Sequence, residues 1–223
     1  MNKAPQCAMC PYSTAEKICT QEKGKGPDNC PTLIYHILAR ETLENMPAAE
    51  REFELQSLRQ GGAGYQTGAS GATPVKTRLV EIVEFSQRMA YKRLGLIFCG
   101  SASREGRIVS EILANNGFEV VSVICKVGRV PKAHFGITPD EQINRNKAEV
   151  ACNPVLQARL INEAGVDFNI LINLCVGHDS LVIKHLDAPV TVLSVKDRVL
   201  NHNPLAAIYL YESCATFLKK PLI

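Results

Sequence analysis

Four short apolar segments constrain the fold of this chain more than any other feature. Each is rich in aliphatic or aromatic residues and has the length of a buried strand: 96–99, 118–125, 168–175 and 190–195. Helical patterns lie between them and are stopped by glycine, as at Gly117 and Gly165. Alternation of this kind predicts a parallel sheet with helices on both faces. We therefore predict the α/β class, with a doubly wound, Rossmann-like sheet of about four to five strands.

The predicted topology also indicates where a ligand would bind. Right-handed crossovers bring the carboxyl ends of all strands to one edge of the sheet, and ligands bind at that edge. Three predicted strands end in cysteine, and a fourth cysteine directly precedes a helix start at Asn153-Pro154: Cys99, Cys125, Cys175 and Cys152. A helix N-terminus favours the thiolate form. We predict a cofactor-binding site made of these four thiols; the alternative is core packing, which is common for free cysteine.

Polar side chains follow the same strands. His178 comes after the third strand, Lys196 and Arg198 come after the fourth, and His202 precedes the last predicted helix. Such groups can carry protons, contact anions or bind ligands. We predict Cys175, His178, Lys196 and Arg198 as catalytic residues and His202 as a further cofactor contact. The alternatives are helix capping for His178 and solvated loop positions for the others.

A second set of cysteines lies near the N-terminus: Cys7, Cys10, Cys19 and Cys30. The Cys-x-x-Cys start is a metal-ligand spacing, and two of the four cysteines precede proline, as often occurs at iron–sulfur clusters. A disulfide framework would need an oxidising compartment. We predict that these four residues bind a [4Fe–4S] cluster, with zinc as the alternative. The segment has little apolar content, so bound metal would supply much of its folding free energy.

The chain divides into three predicted parts. Residues 1–60 hold the cysteine segment and two helices, 31–45 and 48–59, and residues 75–223 form the α/β domain. Between them, the glycine-rich stretch 61–74 predicts a flexible linker or mobile loop. Two finer expectations concern the domain: Gly95 stops a helix, and a C-terminal helix runs from about 203 to 218 with Cys214 packed in the core.

Composition excludes several classes of function. The net charge is +3 and no basic run stands out, which argues against nucleic acid or a membrane surface as partner. The longest apolar runs are strand-sized and far too short to span a bilayer. No apolar run of a secretory signal is visible at the start of the chain, so we expect a cytoplasmic protein with reduced thiols.

Several motifs resemble those of one family. They are Ser-Val-Ile-Cys-Lys-Val-Gly (122–128), Ala-Cys-Asn-Pro (151–154), Leu-Cys-Val-Gly-His-Asp-Ser (174–180), Val-Lys-Asp-Arg-Val (195–199) and His-Asn-Pro (202–204). Together with the four N-terminal cysteines they resemble the DUF1847 family of bacterial and archaeal proteins. The resemblance covers nearly the whole chain. It implies a metal-binding protein, often of anaerobes, and no established reaction.

The leading hypothesis from the sequence is an iron–sulfur redox protein, and the enzyme class that fits this hypothesis is an oxidoreductase. Its N-terminal cluster would dock over the strand-end edge, where the second site would bind another cluster, a metal ion or a small molecule. The expected partners are a small molecule or a redox protein, and a homodimer is compatible with the chain. One alternative is a non-catalytic protein with a structural four-cysteine zinc site, acting in metal delivery or partner binding. Another is a thiol enzyme with a strand-end cysteine as nucleophile and His178 as base.

Overall fold

A computed structural model describes residues 4–69 and 71–222 of the chain. The chain forms two compact units, Met1–Arg59 and Gln60–Ile223. Three residues at the N-terminus, Ser70 and Ile223 lie outside the described part. None of the helices within residues 4–69 and 71–222 is long and apolar enough to cross a membrane.

The first unit contains short helices and little packed core. A 3-10 turn covers Cys7–Met9, and the helices are α1 (Pro31–Ile34), α2 (His36–Glu44) and the greater part of α3 (Ala48–Ala63). Pro31 occupies the first position of α1, where its missing N–H is not needed. The predicted helix 31–45 is interrupted at Tyr35. Among residues 4–59 no apolar side chain is buried. Apolar packing therefore contributes little to this unit.

The second unit begins with an antiparallel hairpin and continues as alternating helices and strands. The hairpin pairs β1 (Tyr65–Gly68) with β2 (Gly71–Pro74). The elements that follow are α4 (Arg78–Arg88), β3 (Arg93–Phe98), α5 (Ser103–Asn115), β4 (Glu119–Ile124), α6 (Pro154–Glu163), β5 (Phe168–Leu174), α7 (His178–His185), β6 (Val190–Val195) and α8 (Leu205–Tyr209). Short 3-10 turns cover Gly100–Ala102, Lys132–Phe135, Pro139–Glu141 and Thr216–Lys219.

Strands β3 to β6 form one parallel sheet in the order β4-β3-β5-β6. The α/β class is thereby confirmed. The chain leaves β3 toward β4 and then crosses back to β5 on the other side of β3. Two glycines show that helices cover both faces. A Cβ on Gly95 of β3 would meet Ile161 of α6, whereas a Cβ on Gly106 of α5 would meet Phe98 of β3. Residues 95 and 98 point to opposite faces of the strand because side chains alternate.

Three expectations from the sequence differ from the structure. Residues 61–74, predicted as a linker or loop, form the end of α3 and the hairpin, apart from Ser70, which is not described. Gly95 does not stop a helix but lies inside β3. Glycine is needed at this position because a side chain would collide with Asn169 on β5. The last helix ends at Tyr209, and the hydroxyl of Ser213 donates to the Leu210 carbonyl within a turn.

The prediction that Cys214 packs in the core is wrong, because Cys214 is exposed in that turn region. By contrast, the predicted helix start at Asn153-Pro154 is confirmed. Asn153 caps α6 and accepts a hydrogen bond from the N–H of Leu156. This start fixes the direction in which the chain enters α6 directly after Cys152.

We expect Gly95→Ala to destabilise the domain by about 1–3 kcal/mol, the usual effect of overpacking a core. The new Cβ would stand 2.3 Å from Oδ1 of Asn169, which is fully buried. Chemical denaturation followed by circular dichroism measures the change. Gly62→Ala is the matched control, since nothing lies within 4 Å of its Cβ position and alanine favours the helix. Equal stability of the two variants would contradict this account of Gly95.

Candidate functional site

The register of the sheet brings two of the strand-end cysteines together. Phe98 pairs with Ile124 in the ladder between β3 and β4, so the next residues, Cys99 and Cys125, are neighbours. The N–H of Cys125 donates to the carbonyl of Phe98 at 2.9 Å, which extends the ladder beyond the strands. The sulfur atoms of Cys99 and Cys125 lie 4.0 Å apart.

Cys152 reaches the same place through the start of α6. The N–H of Asn153 donates to the carbonyl of Cys125 at 2.8 Å, which holds the two backbones side by side. The sulfur of Cys152 lies 3.6 Å from the sulfur of Cys125. The three thiols therefore form a row, which we call the thiol row: Cys99, Cys125 and Cys152. Cys125 is in the middle and only 2% exposed, whereas Cys152 is partly exposed.

The two outer thiols of the row have lowered pKa values. Hydrogen bonds from Cys125 and then from His178 lower the pKa of Cys152 to about 4. The same contact with Cys152 raises the pKa of His178, so the imidazolium form is favoured. At the other end, hydrogen bonds from Cys125 and then from Ser101 lower the pKa of Cys99 to about 3. The two neighbouring sulfurs, together with burial, raise the pKa of Cys125, which keeps its proton.

Only one end of the thiol row can receive the Cys125 proton at a time. A thiol has a single hydrogen to donate, so it serves either Cys99 or Cys152. The distance favours Cys152, at 3.6 Å rather than 4.0 Å. Cys152 also contacts the cation of His178 and is more exposed than Cys99. We therefore regard Cys152 as the accessible thiolate of this edge.

The remaining predicted site residues lie along the same end of the sheet. Nη2 of Arg198 donates to the sulfur of Cys175 at 3.3 Å, and Nζ of Lys196 donates to the hydroxyl of Ser101 at 2.5 Å. Ser101 in turn lies 3.5 Å from the sulfur of Cys99. His202 is engaged within its own loop, where its Nδ1 accepts from the N–H of Asp197.

An irregularity in β5 precedes Cys175. Asn173 has a left-handed backbone with φ of 52° and lies where the register with β6 shifts. It is 3% exposed, and its Oδ1 has no hydrogen-bond partner within residues 4–69 and 71–222. Asparagine tolerates this conformation better than most residues, although it remains strained. The bulge interrupts the strand's alternation of side chains just before the edge.

Two polar residues of the site carry signals that sequence reasoning did not use. Lys126 directly follows Cys125, and its charge lowers the pKa of Cys152. Ser101 follows the first strand-end cysteine by two residues, and its hydroxyl lies 3.5 Å from the sulfur of that cysteine. Adjacency to a strand-end cysteine is the signal that could have identified both.

The N-terminal cysteines form a separate group in the first unit. All four line one pocket of about 140 Å³, together with Gln6, Lys17, Pro27, Asn29, Pro31 and Thr32. Cys10 follows the turn that begins at Cys7, where the N–H of Cys10 donates to the Cys7 carbonyl. Gly26 packs against Cys30, and a Cβ at Gly26 would stand 2.9 Å from the Cys30 sulfur. This glycine leaves room for the Cys30 thiol.

Neither group converges on a single metal ion. Within residues 4–69 and 71–222, no three His, Cys, Asp or Glu side chains are placed so that they could share one ion. Around zinc, four sulfurs at 2.3 Å would lie about 3.8 Å from one another. In the thiol row, the sulfur of Cys125 lies at about that spacing from each of its two neighbours, at 4.0 Å and 3.6 Å. All nine cysteines are free thiols.

The fold and these two groups define a mixed α/β protein with a thiol-lined sheet edge and a cysteine-lined N-terminal pocket. The chain belongs to the DUF1847 family, described as proteins of unknown function, whose model matches residues 30–193. It is also similar to the uncharacterized protein MJ0455 of Methanocaldococcus jannaschii, with 47% identity over 134 residues, 60% of this chain and 67% of that protein. Membership of the family is thereby confirmed over residues 30–193, and the match does not extend to Cys7, Cys10 and Cys19 or to the motifs 195–199 and 202–204. The matched range includes the thiol row and Cys175.

We predict that Cys152 stays reactive in acid. At pH 5.5 an ordinary thiol with a pKa of about 8.5 is about 0.1% thiolate, whereas a thiol of pKa about 4 is almost fully ionised. Its lower basicity reduces its nucleophilicity by about a hundredfold. Alkylation of Cys152 by iodoacetamide at pH 5.5 should therefore exceed that of a free cysteine peptide by about tenfold, measured by peptide mass spectrometry.

The charged and titratable groups that face Cys152 are Cys125, His178, Lys126 and, through His178, Cys99. His178→Gln removes the neighbouring cation and should raise the pKa of Cys152, so the midpoint of its alkylation rate against pH should move to higher pH. His185→Gln, at the exposed end of the same helix, is the control. An unchanged pH profile in His178→Gln would refute the thiolate–imidazolium pair.

Proposed function

We propose that this protein is an iron–sulfur redox protein, with a cluster in the N-terminal unit and a small-molecule site at the thiol-lined edge of the α/β unit. We also propose that its sheet belongs to the doubly wound class, whose ligands bind at the carboxyl edge. The free state of all nine cysteines favours a reducing compartment, which in our proposal is the cytoplasm.

The observation that carries the proposal is the shared pocket of the four N-terminal cysteines: Cys7, Cys10, Cys19 and Cys30. Its volume of about 140 Å³ is roughly ten times the space that one water-sized sphere occupies. A [4Fe–4S] cluster has eight core atoms and bonds each thiolate through a different iron, so its ligands stand apart. A zinc ion would draw the same sulfurs to about 3.8 Å from one another. The pocket therefore fits a cluster better than a single ion.

The packing of the first unit supports a resident metal group. Residues 4–59 bury no apolar side chain, and Leu33, Ile37 and Leu38 are about half exposed. A unit of this size without a packed core usually needs metal or disulfides to fold. When bound, the cluster would supply one-electron oxidation and reduction. The chain's own contribution there is the four thiolates and the space beside Gly26.

The second site has the features of a binding site for a small anionic molecule. Cys152 offers a partly exposed thiolate, and His178 lies beside it. Lys196 and Arg198 add two cations at the same end of the sheet. The acid between them, Asp197, accepts hydrogen bonds from the N–H groups of Val199 and Leu200, so its charge is partly satisfied within the loop. Lys196 and Arg198 are thus the cations of this edge that would contact an anionic group of the ligand.

We expect about four iron and four acid-labile sulfide per chain in protein purified without oxygen. Substitution of Cys7 and Cys10 together by serine should abolish the iron and melt the N-terminal unit, because two of four ligands are lost. Gly26→Ala leaves all ligands in place but crowds the Cys30 sulfur at 2.9 Å, and should lower iron content and shift the cluster's electron paramagnetic resonance spectrum.

Two control variants test whether a loss of iron is specific to the N-terminal pocket. Cys214→Ser removes an exposed thiol outside the pocket, and Gly68→Ala adds a methyl group where nothing lies within 4 Å. Both should keep the iron content of the parent protein. One zinc per chain without visible absorbance would overturn the cluster proposal in favour of a structural zinc site. Protein that folds fully without any metal would refute both.

A further inference from the structure

We propose that Cys125 and Cys152 form a redox-active dithiol that reduces anionic low-molecular-weight disulfides. This inference names the reaction and the substrate class of the small-molecule site proposed above, and it rests on that part of the proposed function. It does not depend on the N-terminal cluster. The two residues alternate between the dithiol seen in this structure and an internal disulfide.

The geometry of the pair carries the inference. The two sulfurs lie 3.6 Å apart, so about 1.5 Å of approach would reach a disulfide bond length. The backbones are already joined by the hydrogen bond from the Asn153 N–H to the Cys125 carbonyl, at 2.8 Å. Closure therefore requires side-chain movement rather than a rearrangement of the sheet. The pair Cys99–Cys125, at 4.0 Å, is the competing closure.

The two thiols differ in the way that such a reaction needs. Cys152 is partly exposed and faces His178, so a substrate can reach it as a thiolate. Cys125 is 2% exposed and belongs to the apolar core cluster, so it is shielded from substrate. A buried thiol of raised pKa stays protonated until a neighbour accepts its proton. These properties assign attack on substrate to Cys152 and resolution to Cys125.

The reaction balances with the groups present. The Cys152 thiolate attacks one sulfur of the substrate, its S–S bond breaks, and a mixed disulfide forms while the leaving thiolate takes the proton of His178. His178 then accepts the proton of Cys125, whose sulfur attacks Cys152 and displaces the second thiolate, and His178 passes that proton on. The protein loses two electrons and two protons, and the substrate becomes two thiols. A dithiol or a redox protein would restore the reduced pair.

The charges near the pair select the substrate class. A pocket of about 540 Å³ is lined by Lys126, Arg129, Lys132, Ile143, Glu149 and Val150. In the chain, Lys126 directly follows Cys125 and Val150 lies two residues before Cys152. Glu149 is satisfied by Lys132 at 2.5 Å and by the N–H of Asn144. Lys126 donates to the carbonyl of Val150 and has no carboxylate partner within residues 4–69 and 71–222, so its charge acts on the Cys152 thiolate and on an incoming anion. Within residues 4–69 and 71–222 the guanidinium of Arg129 makes no hydrogen bond or ion pair, so it is available to a carboxylate.

Oxidised glutathione is the probe for the test, applied anaerobically to the reduced full-length protein. Products are trapped in acid, digested with trypsin and mapped by mass spectrometry. The edge cysteines fall on four different tryptic peptides: 94–104, 108–126, 148–159 and 160–184. We expect a linkage between 108–126 and 148–159, with two glutathione thiols released per chain. Cys125→Ser should stop at one glutathione bound to Cys152, and Cys152→Ser should form neither product.

Cys214→Ser is the control and should behave as the parent protein, since this exposed thiol lies outside the edge. A Cys99–Cys125 linkage, a mixed disulfide that never resolves in the parent protein, or no reaction at all would each overturn the inference. Iron content is measured in the same samples. A protein without iron that still forms the Cys125–Cys152 disulfide would refute the N-terminal cluster but leave the dithiol proposal intact. A protein with four iron per chain that forms no such disulfide would refute the dithiol proposal but leave the cluster intact.

Cystamine, a cationic disulfide, tests the substrate class. Electrostatic attraction by Lys126 and Arg129 should make oxidised glutathione react faster by on the order of tenfold at low salt, and the difference should shrink as salt is added. Arg129→Ala should reduce the preference, whereas Arg107→Ala, on the exposed side of α5, should not. An equal or faster reaction with cystamine would overturn the assignment of an anionic substrate.

Discussion

The pairing of β3 with both of its neighbours is the constraint on which the rest of the structure depends. Because Phe98, the last residue of β3, is in register with Ile124, the last residue of β4, these two strands leave the sheet at the same level, whereas β5 continues past Ile172 to Leu174. Cys99 and Cys125 then emerge side by side without any special loop. A slip of one residue would turn one of the two sulfurs to the other face and disperse the thiol row.

The thiol row is built in continuity with the apolar core. Cys99 and Cys125 belong to the same cluster as Ile97 and Ile161, so one end of the row is dry while Cys152 meets solvent. Hydrogen bonds among the three sulfurs, to which burial adds, separate the proton affinities of these chemically identical groups. The two neighbouring sulfurs and then burial keep the proton on Cys125, and hydrogen bonds from Cys125 and then from His178 favour the thiolate of Cys152. The meeting of the two strand ends with the start of α6 thus creates the difference that the proposed chemistry uses.

The two units differ in how much apolar surface they bury to stabilise the fold. The α/β unit buries a continuous sheet, in which every residue of β5 is buried. The first unit has no buried apolar side chain within residues 4–59, and its cysteines surround a pocket instead. Proteins that lack sufficient core usually replace it with cross-links or metal. The four thiols are therefore as much a matter of folding as of redox chemistry in our proposal.

Local patterns in the sequence determined the class of the fold, the position of β6 at 190–195 and the start of α6 at Pro154, because periodicity and capping act over a few residues. They also predicted which cysteines reach the sheet edge. Only the tertiary structure decided that Gly95 belongs inside a strand and that the thiols form a row with Cys125 in its middle. Those facts depend on contacts between residues far apart in the chain, such as Gly95 with Asn169 and Cys125 with Cys152. The periodic pattern of apolar residues in the sequence indicates which residues face the core. The distance between two thiols and their proton affinities are set only when elements far apart in the chain come into contact.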